Sequence, residues 1–218
     1  MKCAESAFGV VCGRRMNGVA PFVPVVAVAL LGAFPAAQML VVPLCLLLPL
    51  PFPHFWRGIP GNWTFFTRRL DWKMIGIGIP LGFAGVMLFQ FVLAAVAWGF
   101  GLEMAEQPLV EYIRAMSGWR LIFFGFLLAV WSPLLEELAF RHWLFGGMAS
   151  RMNWKAAAVG AALVFALLHF SPWQLPGLFF LGLFWQYVYL KTGNLWNAVI
   201  LHSANNLLTL LLTFAVNG

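Results

Sequence analysis

Long apolar runs separated by short polar breaks dominate the chain. A bilayer core requires about 20 apolar residues in helical form. On that criterion the pattern predicts seven spans, at roughly 18–34, 36–52, 75–100, 119–146, 154–170, 174–190 and 195–215. The first two crowd together around Gly32 and Pro35 and read equally well as a re-entrant hairpin. Pro51, Pro53 and Pro60 then interrupt the chain before the polar stretch RGIPGNWTFFTRRLDWK. The expected fold class is all-α: a polytopic membrane helix bundle of about seven transmembrane helices. Residues 1–74 would form a basic tail, a hydrophobic hairpin and a polar loop, and 75–218 a membrane-embedded core. No internal repeat or low-complexity segment interrupts this plan.

Composition supports the membrane reading: 62% of the 218 residues are apolar and only 9% charged, with a mean hydropathy of +0.88. The net charge of +6 does not point to nucleic acid, because the Lys and Arg residues form no basic stripe with interleaved aromatics. They sort by topology instead. With a cytoplasmic N-terminus, the inner segments hold Lys2, Arg14, Arg15, Arg57, Arg68, Arg69, Lys73, Arg141, Arg151, Lys155 and Lys191, against Arg114 and Arg120 outside. The N-terminus is basic and then apolar, but the apolar stretch continues to Phe52 without a cleavage site, which predicts a retained first span. Cys3, Cys12 and Cys45 lack CxxC spacing and histidine neighbours, so neither a disulfide framework nor a zinc site is expected from them. The expected location is a bacterial inner membrane.

Ionisable residues inside such spans are costly and usually face a protein interior or a water-filled cavity. The fourth span carries EELAFR, with Glu136, Glu137 and Arg141. The fifth carries FALLH, ending at His169, and the seventh LHSANN, with His202, Asn205 and Asn206. Glu137 and Arg141 lie four apart on one helix face and can neutralise each other. Glu136 is rotated about 100° away and needs another partner. His202 and Asn206 share a face, as do Phe165 and His169. A carboxylate and a histidine can hold and deprotonate a water. A second histidine and an amide can donate hydrogen bonds to the oxyanion formed when that water attacks a carbonyl.

Each residue alone has a plainer reading. A single intramembrane histidine or asparagine commonly serves as interhelical glue, and Glu137 with Arg141 reads as a structural ion pair. His54 and His142 fall at predicted interfaces, where a histidine needs no special role. Taken jointly, Glu136, His169, His202 and Asn206 are an expensive way to glue a bundle.

The three motifs, EExxxR, FxxxH and HxxxN, occur in the order and approximate spacing of the CPBP family, the type II CAAX prenyl endopeptidases and bacteriocin-processing intramembrane proteases, which residues 118–212 resemble. The resemblance implies a glutamate-type intramembrane protease. Glu136 and His169 would activate water, His202 and Asn206 would form the oxyanion hole, and Glu137 and Arg141 would support the site. No cofactor is expected. Zinc on Glu136, His169 and His202 is the alternative, although HExxH is absent. The implied partners are the bilayer and a hydrophobic peptide or membrane-anchored protein substrate. A non-catalytic adaptor or immunity protein retaining the fold is a second alternative, and an ion pathway a third. The predicted boundaries contain one tension. A fifth span starting near Asn153 puts His169 about 24 Å along its axis, toward the outer face, with Glu136 in the inner half. Either the helix is strongly tilted or broken, or the boundaries lie a turn or two away.

Overall fold

A computed structural model describes residues 68–104 and 108–215, and these form helices joined by short turns, with no strand among the described residues. We number them α1 (Trp72–Gly99), α2 (Pro108–Arg114), α3 (Gly118–Ala149), α4 (Trp154–Leu167), α5 (Leu175–Thr192) and α6 (Leu195–Ala215). The five longer helices overlay the last five predicted spans. The first two predicted spans, with His54 and the three cysteines, lie outside the described residues. Three helices, α1, α3 and α6, are long and apolar enough to cross a bilayer. Their outward faces carry large apolar side chains, among them Leu88, Phe91, Ile122 and Leu211. The chain is an integral membrane protein.

Local chemistry sets the helix ends. The Asp71 carboxylate caps α1 by accepting from Met74 N at 2.9 Å, and Asn153 caps α4 through Lys155 N. Gly193 closes α5 in the left-handed conformation, φ 62°, donating to the Tyr189 carbonyl at 2.8 Å. The turn after it is tied to α1. Asn194 Nδ2 donates to the Arg68 carbonyl at 2.6 Å, and Asp71 N donates to Asn197 Oδ1 at 3.0 Å. Both asparagines are fully buried.

Between lipid-bathed helices the hydrophobic effect contributes little, so close packing of small residues must hold them together. At Gly182 of α5 an added Cβ would stand 3.0 Å from Ala162 Cβ and 3.2 Å from its Cα, so α4 and α5 meet backbone to backbone. Gly78 and Gly85 likewise let α1 close on Leu201 of α6 and Phe180 of α5. The buried core centres on α3, α4, α5 and α6, around Phe140, Trp143, Phe165, Leu181 and Trp185.

The helix α3 is not uniform. Two π-helical stretches, Leu127–Trp131 and Leu138–Leu144, bracket a single α-helical segment, Ser132–Glu137, which bears both carboxylates. Hydrophobic periodicity gave no sign of these stretches.

The tension over depth is removed by corrected boundaries. The fifth predicted span ends at Leu167 rather than 170, because the chain turns there: His169 lies in the turn, and Phe170 takes φ 51°. The preceding helix runs on to Ala149, past the expected 146. Glu136 is thus thirteen residues from Ala149, and Leu167 thirteen from Trp154. At 1.5 Å per residue each lies about 20 Å from the turn joining the two helices. The carboxylate and the start of the His169 turn are level.

Candidate active site

One cavity of about 310 Å³ opens among α1, α2, α3, α5 and α6, and Glu136, His169, Asn205 and Asn206 all line it. Ser132, Gln90 and Gln174 add polar groups, and the remaining wall is largely aliphatic, with Val86, Leu128, Leu178 and Leu181. Glu137, Arg141 and His202 do not line the cavity.

Behind it, Glu137 is fully buried and makes two contacts. Its Oε2 lies 3.1 Å from Arg141 Nε, an ion pair rather than an aligned hydrogen bond, and its Oε1 accepts from His202 Nδ1 at 2.9 Å. The expected Glu137–Arg141 pair is therefore present, but a histidine from α6 is joined to it. The Arg141 guanidinium is 1% exposed and stacks over the rings of Phe165, at 4.6 Å, and Trp185, at 5.6 Å. Those aromatic faces attract a cation that lacks water. Among the described residues its Nη1 and Nη2 have no hydrogen-bond partner.

His202 departs from its expected place beside Asn206 at an oxyanion. Its ring is held flat against Trp185, centroids 4.0 Å apart and planes at 19°. In that pose Nδ1 meets Glu137 and Nε2 faces Glu136 Oε2 at 3.7 Å. Both nitrogens are turned toward carboxylates, since Glu136 and Glu137 sit on either side of the imidazole.

Glu136 is partly exposed to the cavity. Its Oε1 accepts a hydrogen bond from the Ser132 hydroxyl one turn earlier. The serine is the partner that helix rotation required and that inspection of the charged residues alone missed. The i, i+4 spacing of Ser132 and Glu136 was the available signal.

His169 projects from the turn after α4. Its Nδ1 is 2.8 Å from the Phe165 carbonyl, which can only accept, so Nδ1 carries a proton and neutral His169 presents Nε2 as an acceptor. The Phe165 ring lies 4.7 Å from the imidazole, centroid to centroid, and forms the expected apolar wall.

Asn206 is anchored by an unusual carbonyl. In the π-helical stretch Ser132 N bonds to Leu127 O, and Pro133 has no N–H, so the Leu128 carbonyl lacks both backbone donors a helix offers. Asn206 Nδ2 supplies the missing hydrogen bond at 3.0 Å, leaving its second amide hydrogen available. Asn205, expected only as glue, also lines the cavity, and its Oδ1 is buried without a hydrogen-bond partner among the described residues. His142, outside this group, pairs its Nδ1 with the Tyr189 hydroxyl at 3.0 Å.

Among the described residues no group of three or more His, Cys, Asp or Glu is arranged to hold an ion. Glu136, His169 and His202 do not form a three-ligand set in this arrangement, because His202 is engaged between the two carboxylates.

Comparison with known proteins agrees with the motifs. Residues 118–208 match the family model described as type II CAAX prenyl endopeptidase Rce1-like. The chain is 28% identical over 132 residues to the membrane-embedded CAAX protease MroQ of Staphylococcus aureus (strain USA300), covering 58% of this chain and 53% of that protein. It is 37% identical over 84 residues to the UPF0177 protein YxdF of Lactococcus lactis subsp. lactis (strain IL1403), covering 38% of this chain and 45% of that one. The chain thus spans about half the length of the curated relatives it matches. No solved structure matches it. Through the segment that carries EELAFR, FALLH and LHSANN, the chain is similar to the type II CAAX prenyl endopeptidases of the CPBP family.

Proposed function

We propose that the protein is an intramembrane endopeptidase of glutamate type. The observation that carries this reading is the shared cavity, in which Glu136 from α3 and His169 from the turn after α4 face one space at one depth. The name of the staphylococcal relative, a CAAX protease, supports the same class.

In the proposed reaction the Glu136 carboxylate takes one proton from water, while His169 Nε2 accepts a hydrogen bond from the O–H that remains. The resulting hydroxide adds to the peptide carbonyl, and the proton on Glu136 passes to the leaving amine. The free amide hydrogen of Asn206 faces the developing oxyanion. His202, itself held by Glu137, faces Glu136 from behind. The mechanism uses no resident metal.

The substrate is proposed to be a hydrophobic peptide or a membrane-anchored protein tail, cut in the inner membrane of a bacterium. The N-terminus is proposed to be cytoplasmic and the chain to cross about seven times. The test is cleavage of a panel of C-terminal-tail and short-peptide reporters by membranes containing wild type, Glu136→Gln or His169→Ala, with and without a chelator. Cleavage by wild type alone, unaffected by the chelator, is expected. Equal cleavage by wild type and Glu136→Gln would remove Glu136 from the mechanism, and chelator inhibition reversed by zinc would replace this mechanism with a metal-dependent one.

A further inference from the structure

The reading of Glu136 as the base raises the question of what fixes its carboxylate, and the answer rests on that reading. Of its two oxygens, Oε2 is buried without a hydrogen-bond partner among the described residues and lies 3.7 Å from His202 Nε2, while Oε1 accepts from the Ser132 hydroxyl. Ser132 is 8% exposed, lines the cavity, and stands outside the three motifs. Its hydroxyl donates to the carboxylate at the centre of the site.

A serine within a helix ordinarily turns its hydroxyl back onto the carbonyl four residues earlier. For Ser132 that acceptor is Leu128, whose carbonyl has lost its backbone donors to the π-helical stretch and to Pro133 and is therefore especially in need of one. Asn206 of α6 already donates to it at 3.0 Å. With that acceptor engaged, the serine hydroxyl turns forward to Glu136.

We propose that Ser132 is a positioning residue for Glu136, and that Asn206 acts on Glu136 through it by engaging the Leu128 carbonyl to which the serine would otherwise turn. The chain of contacts runs Asn206, Leu128 carbonyl, Ser132, Glu136, and links α6 to α3 beside the cavity. Asn206 keeps its second amide hydrogen for the substrate, so the relay adds to its proposed role at the oxyanion.

Two measurements on the full chain in detergent or nanodiscs test this. The first is the kinetics, on a reporter that wild type cleaves and Glu136→Gln does not, of Ser132→Ala, Ser132→Thr, Asn206→Ala and the double variant Ser132→Ala/Asn206→Ala. Loss of one hydrogen bond to a charged group predicts a fall in kcat of about 10- to 100-fold for Ser132→Ala, with KM within about twofold because ground-state binding is untouched. Ser132→Thr, which keeps the hydroxyl, restores most of the rate. The double variant is no slower than Asn206→Ala by more than about twofold, since both changes break one relay. Full kcat in Ser132→Ala, or effects that multiply in the double variant, would overturn the proposal.

The second measurement needs no substrate. The infrared carboxyl band that Glu136→Gln abolishes is compared among the same variants. It shifts in Ser132→Ala and Asn206→Ala and stays in place in Ser132→Thr. A band unmoved by Ser132→Ala removes the serine from the carboxylate, and one unmoved by Asn206→Ala breaks the relay. If the band behaves as expected while wild type cleaves no reporter, the relay stands and the protease reading falls.

Discussion

The perturbation with the largest expected consequence is at the buried ion pair behind the cavity. Glu137 is 0% exposed and Arg141 1%, with Oε2 and Nε 3.1 Å apart. At an effective dielectric of about 20 that separation corresponds to an attraction of about 5 kcal/mol. Each ion has also lost its hydration, and replacing one partner leaves the other charged and unpaired, at a typical cost of about 3–5 kcal/mol. Glu137→Met leaves the guanidinium with only the faces of Phe165 and Trp185 and takes the acceptor from His202 Nδ1. Arg141→Met leaves a carboxylate supported by one imidazole. Glu137→Met/Arg141→Met removes both charges at once, and two flexible apolar side chains fill similar volume, so it should be more stable than either single variant. The assay is thermal unfolding in detergent, where a loss of that size lowers the midpoint by on the order of 10 °C. The double variant should recover at least half of the loss, a coupling of about 2–3 kcal/mol in the cycle. Additive destabilisation, with the double variant the least stable of the set, would refute the ion-pair argument and leave ordinary packing as the reason the two residues are buried.

Two other expectations concern the scaffold. Gly182→Ala should cost about 1–3 kcal/mol by unfolding, as overpacking does, because the new methyl meets the Ala162 Cα and not merely a side chain that can rotate away; Gly76→Ala, with nothing within 4 Å of an added Cβ, is the control and should be neutral or mildly stabilising. Asn197→Ala and Asn194→Ala each remove a part-buried hydrogen bond to the segment before α1, so limited trypsin digestion should cut faster at Arg68 and Arg69 in both variants, by about fivefold or more for about 1 kcal/mol of local opening; unchanged cutting rates would show that the two asparagines do not hold that segment.

Much of this protein was legible in its sequence, because the bilayer imposes a length on apolar runs and a cost on charges. The five described long helices fall where hydropathy placed them, to within a few residues. The same cost drew attention to Glu136, His169 and Asn206 before any geometry was known, and the three motifs led to the family that residues 118–208 resemble. The Glu137–Arg141 pair followed from helical spacing alone.

What the sequence left open depended on contacts between helices, which a one-dimensional pattern does not encode. The end of α4 at Leu167 follows from a turn with no glycine or proline at its start, and that turn is what brings His169 level with Glu136. The π-helical stretch Leu127–Trp131, together with Pro133, strands the Leu128 carbonyl that Asn206 then takes up. His202 could be assigned to an oxyanion from its spacing to Asn206, but only packing against Trp185 decided that both its nitrogens would face carboxylates. Ser132 drew no attention as an uncharged residue in an apolar run. Its meaning came from the tertiary structure, which engaged one of its acceptors and left it facing the other.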